Sequence, residues 1–358
     1  MSWRLSVPAV LLFAVACSDG SNPMARPTPH SESAQSLPVD PTIRIRDEPD
    51  LEGNNVFATA INRNGTITGF VTNGSTARVF RFHHKIEYFT PPSGFRPGNA
   101  FGIQAGINDQ GTVAGGIIND TAQRAYLWSR EGATTLLPPT FPQVPPEEPL
   151  GCGAWAISDA GYVVGMCMPN VNEFETEWAP DGSIARQTCC GVLTATSENR
   201  NLTGFDLTFD PPIALLWPPG APSYTLIGLN DGTMEESEGL AVNNNGWVAG
   251  WAIVTGVDPS AILWVPGQPQ RILSHLGEAT GIDAEGNVVG FHQDSAAGPT
   301  TAFLWNFATG AHFLPGLPGG TETAAIAINE RHEILGIAVD RNGVRHTVIW
   351  RFPPRDRS

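Results

Sequence analysis

Beyond residue 40 the chain alternates short apolar runs with clusters of Asn, Asp, Gly and Pro, and long Lys/Glu/Ala-rich helical stretches are missing. Runs such as Phe57-Ala58-Thr59-Ala60-Ile61 and Thr66-Ile67-Thr68-Gly69-Phe70, separated by an Asn-x-x-Gly turn, read as strands of a hairpin. The unit recurs. Aligning on Ala-x-x-Asn-x-x-Gly places anchors at Asn62, Asn108, Ser158, Ser197, Asn243, Asp283 and Asn329, spaced by 39 to 50 residues. Seven residues after each anchor stands Gly69, Gly115, Gly165, Gly204, Gly250, Gly290 or Gly336. A turn glycine follows most anchors by three residues, with Arg200 and His332 as the exceptions. An aromatic closes a third apolar run in every repeat: Phe82, Trp128, Trp178, Trp217, Trp264, Trp305 and Trp350.

A fourth, weaker run such as His312-Phe313-Leu314 completes the unit in every repeat but the last, and four strands in roughly 45 residues make one propeller blade. The predicted fold is therefore all-β: a seven-bladed β-propeller over residues 41–358. First strands are dense in Ala and Gly (Ala324, Ala325, Ala327; Gly153, Ala154, Ala156), as the crowded axis of a ring requires, and third strands carry the bulk. The seven aromatics read as packing between blades rather than as a ring of ligand-stacking residues. The seventh repeat has no fourth strand of its own, while Thr42-Ile43-Arg44-Ile45-Arg46 stands unattached before the first repeat. That N-terminal strand is expected to close the last blade and remove an open sheet edge. An open solenoid of β-repeats is the structural alternative, and it would not need this strand.

Two stretches, Ala302-Phe303-Leu304-Trp305 and Leu314-Pro315-Gly316-Leu317-Pro318-Gly319-Gly320 followed by Ile328-Asn329, resemble the extracellular HAF repeats. The likeness extends over most of residues 50–352, although Thr301, Arg124 or Ser260 stands where those repeats carry their naming histidine. The resemblance implies an exported, propeller-like repeat protein without an established activity.

The first 16 residues read as a signal peptide: Arg4 provides the positive start, residues 5–16 are apolar, and the stretch is too short for a permanent membrane span. Cleavage before Cys17 would leave a lipidated cysteine. Ala14-Val15-Ala16 also suits ordinary signal peptidase, in which case the protein is secreted. Lipidation at Cys17 leaves an even number of other cysteines, which suits an oxidising compartment. Residues 17–40, rich in Ser and Pro, read as a flexible tether. The expected location is the bacterial cell envelope, with the lipid anchor as the sole attachment to membrane. A net charge of −15 argues against nucleic acid as a partner, and the chain is read as a monomer.

Cys152 and Cys167 fall opposite each other if the hairpin turn centres between Asp159 and Ala160, which predicts a cross-strand disulfide. Cys189 and Cys190 form a vicinal bridge or pair elsewhere. Zinc is the rival for the four, but the spacing lacks paired C-x-x-C ligands. No nucleophile elbow, metalloprotease helix, phosphate loop or dinucleotide fingerprint is present, so no catalytic, cofactor or metal residue is assigned. His83-His84 invites a metal reading, but neighbours on a strand point to opposite faces. Asp206 and Asp210, with Glu235, Glu236 and Glu238, read as solvated loop carboxylates that could otherwise serve calcium or glycoside chemistry. The favoured function is a non-catalytic binding module for a protein or glycan. The alternative is a secreted enzyme acting on a polysaccharide or small ligand at the channel mouth. Residues 141–151 and 205–213, in the least regular repeats, are where a specialised site is expected.

Overall fold

The computed structural model describes residues 43–73, 76–98, 105–138, 150–169, 173–228, 234–254, 258–295 and 298–352. The signal segment, Cys17, the tether and residues 141–149 of the expected specialised region lie outside these. Every regular element among the described residues is a β-strand, and the strands form seven small antiparallel sheets. The blades comprise residues 56–88, 96–136, 150–189, 191–226, 234–275, 277–313 and 322–351. Within each, sequence order equals spatial order from the axis outward, as meandering hairpins dictate. Blade 2 departs slightly. Its inner strand is in two pieces, Arg96–Pro97 and Ala105–Ile107, both paired with Val113–Ile118.

The strand Arg44–Glu52 pairs with Arg345–Arg351 and supplies the outer strand of blade 7. The ring is closed by the N-terminus as expected. Ile43 and Leu51, both buried, anchor the clasp on either side of the blade.

Each seam between blades holds its own apolar core. Trp128 packs with Phe70 and Val79 of blade 1, Trp178 with Ala114 and Ala125 of blade 2, and Trp217 with Val164 of blade 3. Trp264 meets Ala214 and Leu216, Trp305 meets Ala261 and Leu263, and Trp350 meets Ala302 and Leu304. Phe82 closes the circle against Leu335 and Ile349 of blade 7. All seven are buried, so each contributes its large apolar area to holding one blade on the preceding one.

The anchors act through their side chains. In all seven hairpins the anchor oxygen accepts the N–H four residues on, from Thr66 to Asn62 Oδ1 (2.9 Å) through Glu333 to Asn329 Oδ1 (3.1 Å). Asparagine does more, because its amide also donates to the neighbouring anchor's carbonyl: Asn62 to Asn108 (2.8 Å), Asn108 to Ser158 (3.2 Å), Asn243 to Asp283 (3.0 Å), and Asn329 back to Asn62 (2.9 Å). The turn therefore stitches adjacent blades as well as its own two strands.

Gly65, Gly111, Gly161, Gly246 and Gly286 take a positive φ three residues after their anchors, and the two exceptions adopt the same conformation, with φ 67° at Arg200 and 59° at His332. Their side chains account for the tolerated strain. The Arg200 guanidinium bonds Glu177 (2.7 and 3.0 Å) and lies 3.9 Å from the Tyr162 ring centroid. Glu177 is fully buried and is also held by Arg186 at 2.7 Å. Burial alone would raise its pKa, but hydrogen bonds from Arg200 and Arg186 hold it below the usual carboxylate range. Replacing Arg200 by the glycine that most repeats carry therefore relieves backbone strain yet strips a partner from a buried charge. We expect Arg200→Gly to lower stability by about 1 to 2 kcal/mol, read by urea denaturation. A gain in stability would show that the ion pair adds nothing.

Candidate functional site

Because every inner strand runs toward its anchor, the hairpin turns ring one mouth of the channel. The starts of the inner strands and the loops after the second strands ring the other. The turn mouth is acidic but structurally committed. Arg63 N–H donates to Asp109 (2.7 Å), Asp109 N–H to Asp159 (2.6 Å), Asp159 N–H to Glu198 (2.8 Å), and Ala284 N–H to Glu330 (3.1 Å). Each carboxylate caps the turn of a neighbouring blade.

The opposite mouth carries carboxyls that serve no such purpose. Glu236 and Glu238 lie on the inner strand Met234–Val242, Glu278 on Gly277–Ile282 and Glu322 on Glu322–Ile328. Burial pushes Glu238 up to about 8, the negative charges of Glu278 and Glu236 add to it, and a hydrogen bond from Trp251 opposes it. Burial likewise lifts Glu278 to about 7. Glu236 is raised by burial and then by Asp210. Glu238 and Glu278 are carboxylic acids that hold a proton near neutral pH.

A second group gathers between blades 3 and 4. Glu175, on the strand Phe174–Trp178, is fully buried with neither oxygen hydrogen-bonded by a protein donor. Burial raises it to about 8; its own backbone N–H opposes the rise, and the charges of Asp206 and Glu173 add to it. The chain makes room for it: a Cβ on Gly191 would lie 2.2 Å from Glu175 Oε1. Asp206 accepts from Thr208 N–H (2.7 Å), Thr208 Oγ1 (2.6 Å) and Tyr224 OH (2.7 Å). Beside it, Cys189, the last residue of blade 3, is bonded to Cys190, the single residue that connects blade 3 to blade 4. Cys190 has φ 85° and is bracketed by bonds to the Glu173 carbonyl and the Leu207 N–H. The adjoining loop carries the cis Asp210–Pro211 bond and the exposed Phe209.

Two sequence readings change here. Asp206 ends the strand Leu202–Asp206, and Glu235, Glu236 and Glu238 sit within the inner strand Met234–Val242, so none of the four is a loop carboxylate; Asp206 and Glu238 are buried. His83 and His84 lie in a bend, not on a strand, with His84 at φ 61°, so their rings meet (4.6 Å between centroids) instead of facing apart. The vicinal alternative is the one realised at Cys189 and Cys190. Cys152 and Cys167 are directly paired across their hairpin and bonded, with Cα atoms 4.1 Å apart, in the core between blades 2 and 3. All four cysteines are oxidised, and among the described residues no group of three or more His, Cys, Asp or Glu is placed to hold a metal ion.

Glu175 and Glu278 escaped the sequence reading although the repeats mark them. Three residues before the closing aromatic, other blades carry Ala125, Ala214, Ala261 and Ala302, whereas blade 3 carries Glu175. Five before the anchor stand Phe57, Gly153, Val192 and Ala324, whereas blades 5 and 6 carry Glu238 and Glu278. A carboxylate in an otherwise uncharged column is the usable signal.

No protein-family model matches the chain, and no curated protein matches it. Solved structures do. Puromycin hydrolase aligns with a TM-score of 0.57 at 12% identity, over 79% of this chain and 50% of that one. Prolyl oligopeptidase B from Galerina marginata aligns with a TM-score of 0.52 at 11% identity, over 84% of this chain and 51% of that one. The β-propeller domain of the trilobed protease from Pyrococcus furiosus, described as having an open velcro topology, gives 0.51 at 6% identity, over 82% and 94%. This chain spans about half the length of the first two. At such identities the likeness is one of architecture: the chain has the propeller fold found as a domain in these peptidases.

Proposed function

We propose that the protein is an exported, non-catalytic propeller, tethered to the cell envelope through Cys17, that receives a protein or glycan at the carboxyl-lined mouth opposite the hairpin turns. The observation that carries this reading is the convergence of Glu236, Glu238 and Glu278 from two adjacent blades, two of them buried enough to keep a proton near neutrality. A neutral carboxyl both donates and accepts hydrogen bonds, which suits hydroxyl-rich sugars, and the remaining ionised acids suit a basic protein loop. Loops from every blade meet at such a mouth. The net charge of −15 disfavours a polyanionic partner such as nucleic acid.

One observation favours the enzyme alternative. A proton-holding carboxyl beside a second carboxyl is the arrangement that general-acid cleavage of a glycosidic bond employs. Both readings meet in one experiment. The chain without its signal segment is titrated calorimetrically with neutral envelope polysaccharides and with a basic peptide, and the polysaccharide is then sized. Binding is expected, weakened at least tenfold in Glu236→Ala/Glu278→Ala, with polysaccharide length unchanged. Equal binding by that double variant removes the mouth as the site. Shortened polysaccharide, lost in Glu238→Gln, replaces the binding module with the enzyme.

A further inference from the structure

The seam between blades 7 and 1 differs from the other six because both ends of the propeller chain build it. On its turn side lies a cavity of about 200 Å³, lined among others by Arg46 of the N-terminal strand, Arg351 of the last strand, Arg331 of the blade 7 turn, and the His83-His84 bend of blade 1. Three guanidiniums in one cavity are conspicuous in a chain with 20 Lys and Arg residues and a net charge of −15.

The two carboxylates in the lining are already engaged. Glu333, nearly fully buried, accepts from Arg351 Nε (3.0 Å) with one oxygen and from Asn329 Nδ2 (2.9 Å) with the other. Burial works against its charge, but the bonds from Asn329 and Arg351 prevail and keep it below the usual carboxylate range. Glu48, also buried, pairs with Arg46. These acids orient the arginines. Arg46 and Arg351 remain half-exposed, with side-chain accessibilities of 54% and 51%, so each guanidinium has further N–H groups to offer a ligand. A guanidinium fork held by a carboxylate behind it, with imidazole N–H groups at the rim, matches the oxygens of a tetrahedral oxyanion.

Position singles out the source of that oxyanion. The chain enters the fold at Ile43 and Arg44, and Arg44 is paired with Arg351 at the edge of this cavity. The exposed Lys85, the chain's single lysine, stands next to His84. Residues 17–42 precede this point, so a lipid on Cys17 would bring the basic edge toward the bilayer surface. We propose that the clasp cavity is a phosphate-binding site and that the headgroups of anionic membrane lipids present the phosphate. This site is separate from the carboxyl-lined mouth and goes beyond the binding role proposed for it. The choice of a lipid source rests on the tether reading.

The test uses residues 17–358 with Cys17→Ser, so that no anchor contributes. Sedimentation is measured with vesicles of phosphatidylcholine alone and of phosphatidylcholine mixed equally with phosphatidylglycerol, and calorimetry with inorganic phosphate. The expected result is binding to the mixed vesicles only, competed by inorganic phosphate, and weakened at least tenfold in Arg46→Gln/Arg331→Gln at a temperature where that variant remains folded. Arg351 is left intact because it holds Glu333. Glu236→Ala/Glu278→Ala should bind the vesicles as the parent does, which separates this site from the mouth. Binding of inorganic phosphate without vesicle binding overturns the lipid source. Vesicle binding that the double arginine variant retains, or no binding of either probe, overturns the site.

Discussion

Gly204→Ala is expected to destabilise the protein by roughly 3 to 5 kcal/mol, lowering the melting temperature by roughly 5 to 10 °C. A Cβ at this position would lie 1.8 Å from the Val192 carbonyl oxygen and 3.0 Å from the Leu193 Cα, so backbone must move against backbone. The cause is a bulge in the inner strand. Leu193 pairs with Gly204 and Ala195 with Thr203, leaving Thr194 extra, and the kink drives the preceding carbonyl onto the second strand. The same register shift recurs at Thr59, Trp155, Leu240, Thr280 and Ile326. Gly69, Gly165, Gly250, Gly290 and Gly336 each face the resulting carbonyl, whose oxygen a Cβ would approach to 2.3 Å or less. The bulge has a use. Thr59, Thr194 and Thr280 send their hydroxyls to the inner strand of the next blade, at Ala105, Gly239 and Ala325 (2.6, 2.6 and 3.0 Å). Gly220→Ala is the control: φ is +74° but nothing lies within 4 Å, so only backbone strain of about 1 to 2 kcal/mol applies. Equal losses in the two variants would remove the bulge as the reason for the glycine column.

That column is legible in the sequence as a pattern, but its cause is not. Propeller, blade number and clasp can all be read from the chain because repetition converts weak local signals into a strong one: an isolated Asn-x-x-Gly is a turn, whereas seven in step with a buried aromatic are a ring. What repetition cannot reveal is the role of residues that break it. Arg200 and His332 look like lost glycines, yet the first neutralises Glu177 and the second pairs with Glu285 (3.3 Å) and stacks on Phe352. Glu177 itself occupies a column of Leu127, Leu216, Leu263 and Leu304, and only the fold shows that Arg186 and Arg200 reach it from either side. The clasp cavity was hidden for a different reason. Arg46 stands at the opposite end of the chain from Arg331 and Arg351 and the three share no motif, and alternation on a strand gave the wrong orientation for His83 and His84 once a bend replaced the strand.

The buried Glu175 makes stability depend on pH in the opposite sense to most paired carboxylates. Folded, it keeps its proton up to about pH 8; unfolded, it gives the proton up near its ordinary 4.5. Between these values folding takes up a proton, so stability declines as pH rises, and the loss is complete above about 8. A shift of this size corresponds to roughly 3 to 5 kcal/mol. Glu175→Gln imitates the neutral acid at every pH. The variant should match the parent near pH 4 and exceed its stability at pH 9, measured as the urea midpoint across that range, while the slope that remains in the variant reports groups such as Glu238 and Glu278, which are raised in the same direction. Parallel curves would mean that Glu175 is ionised in the folded protein and has found a cation or solvent.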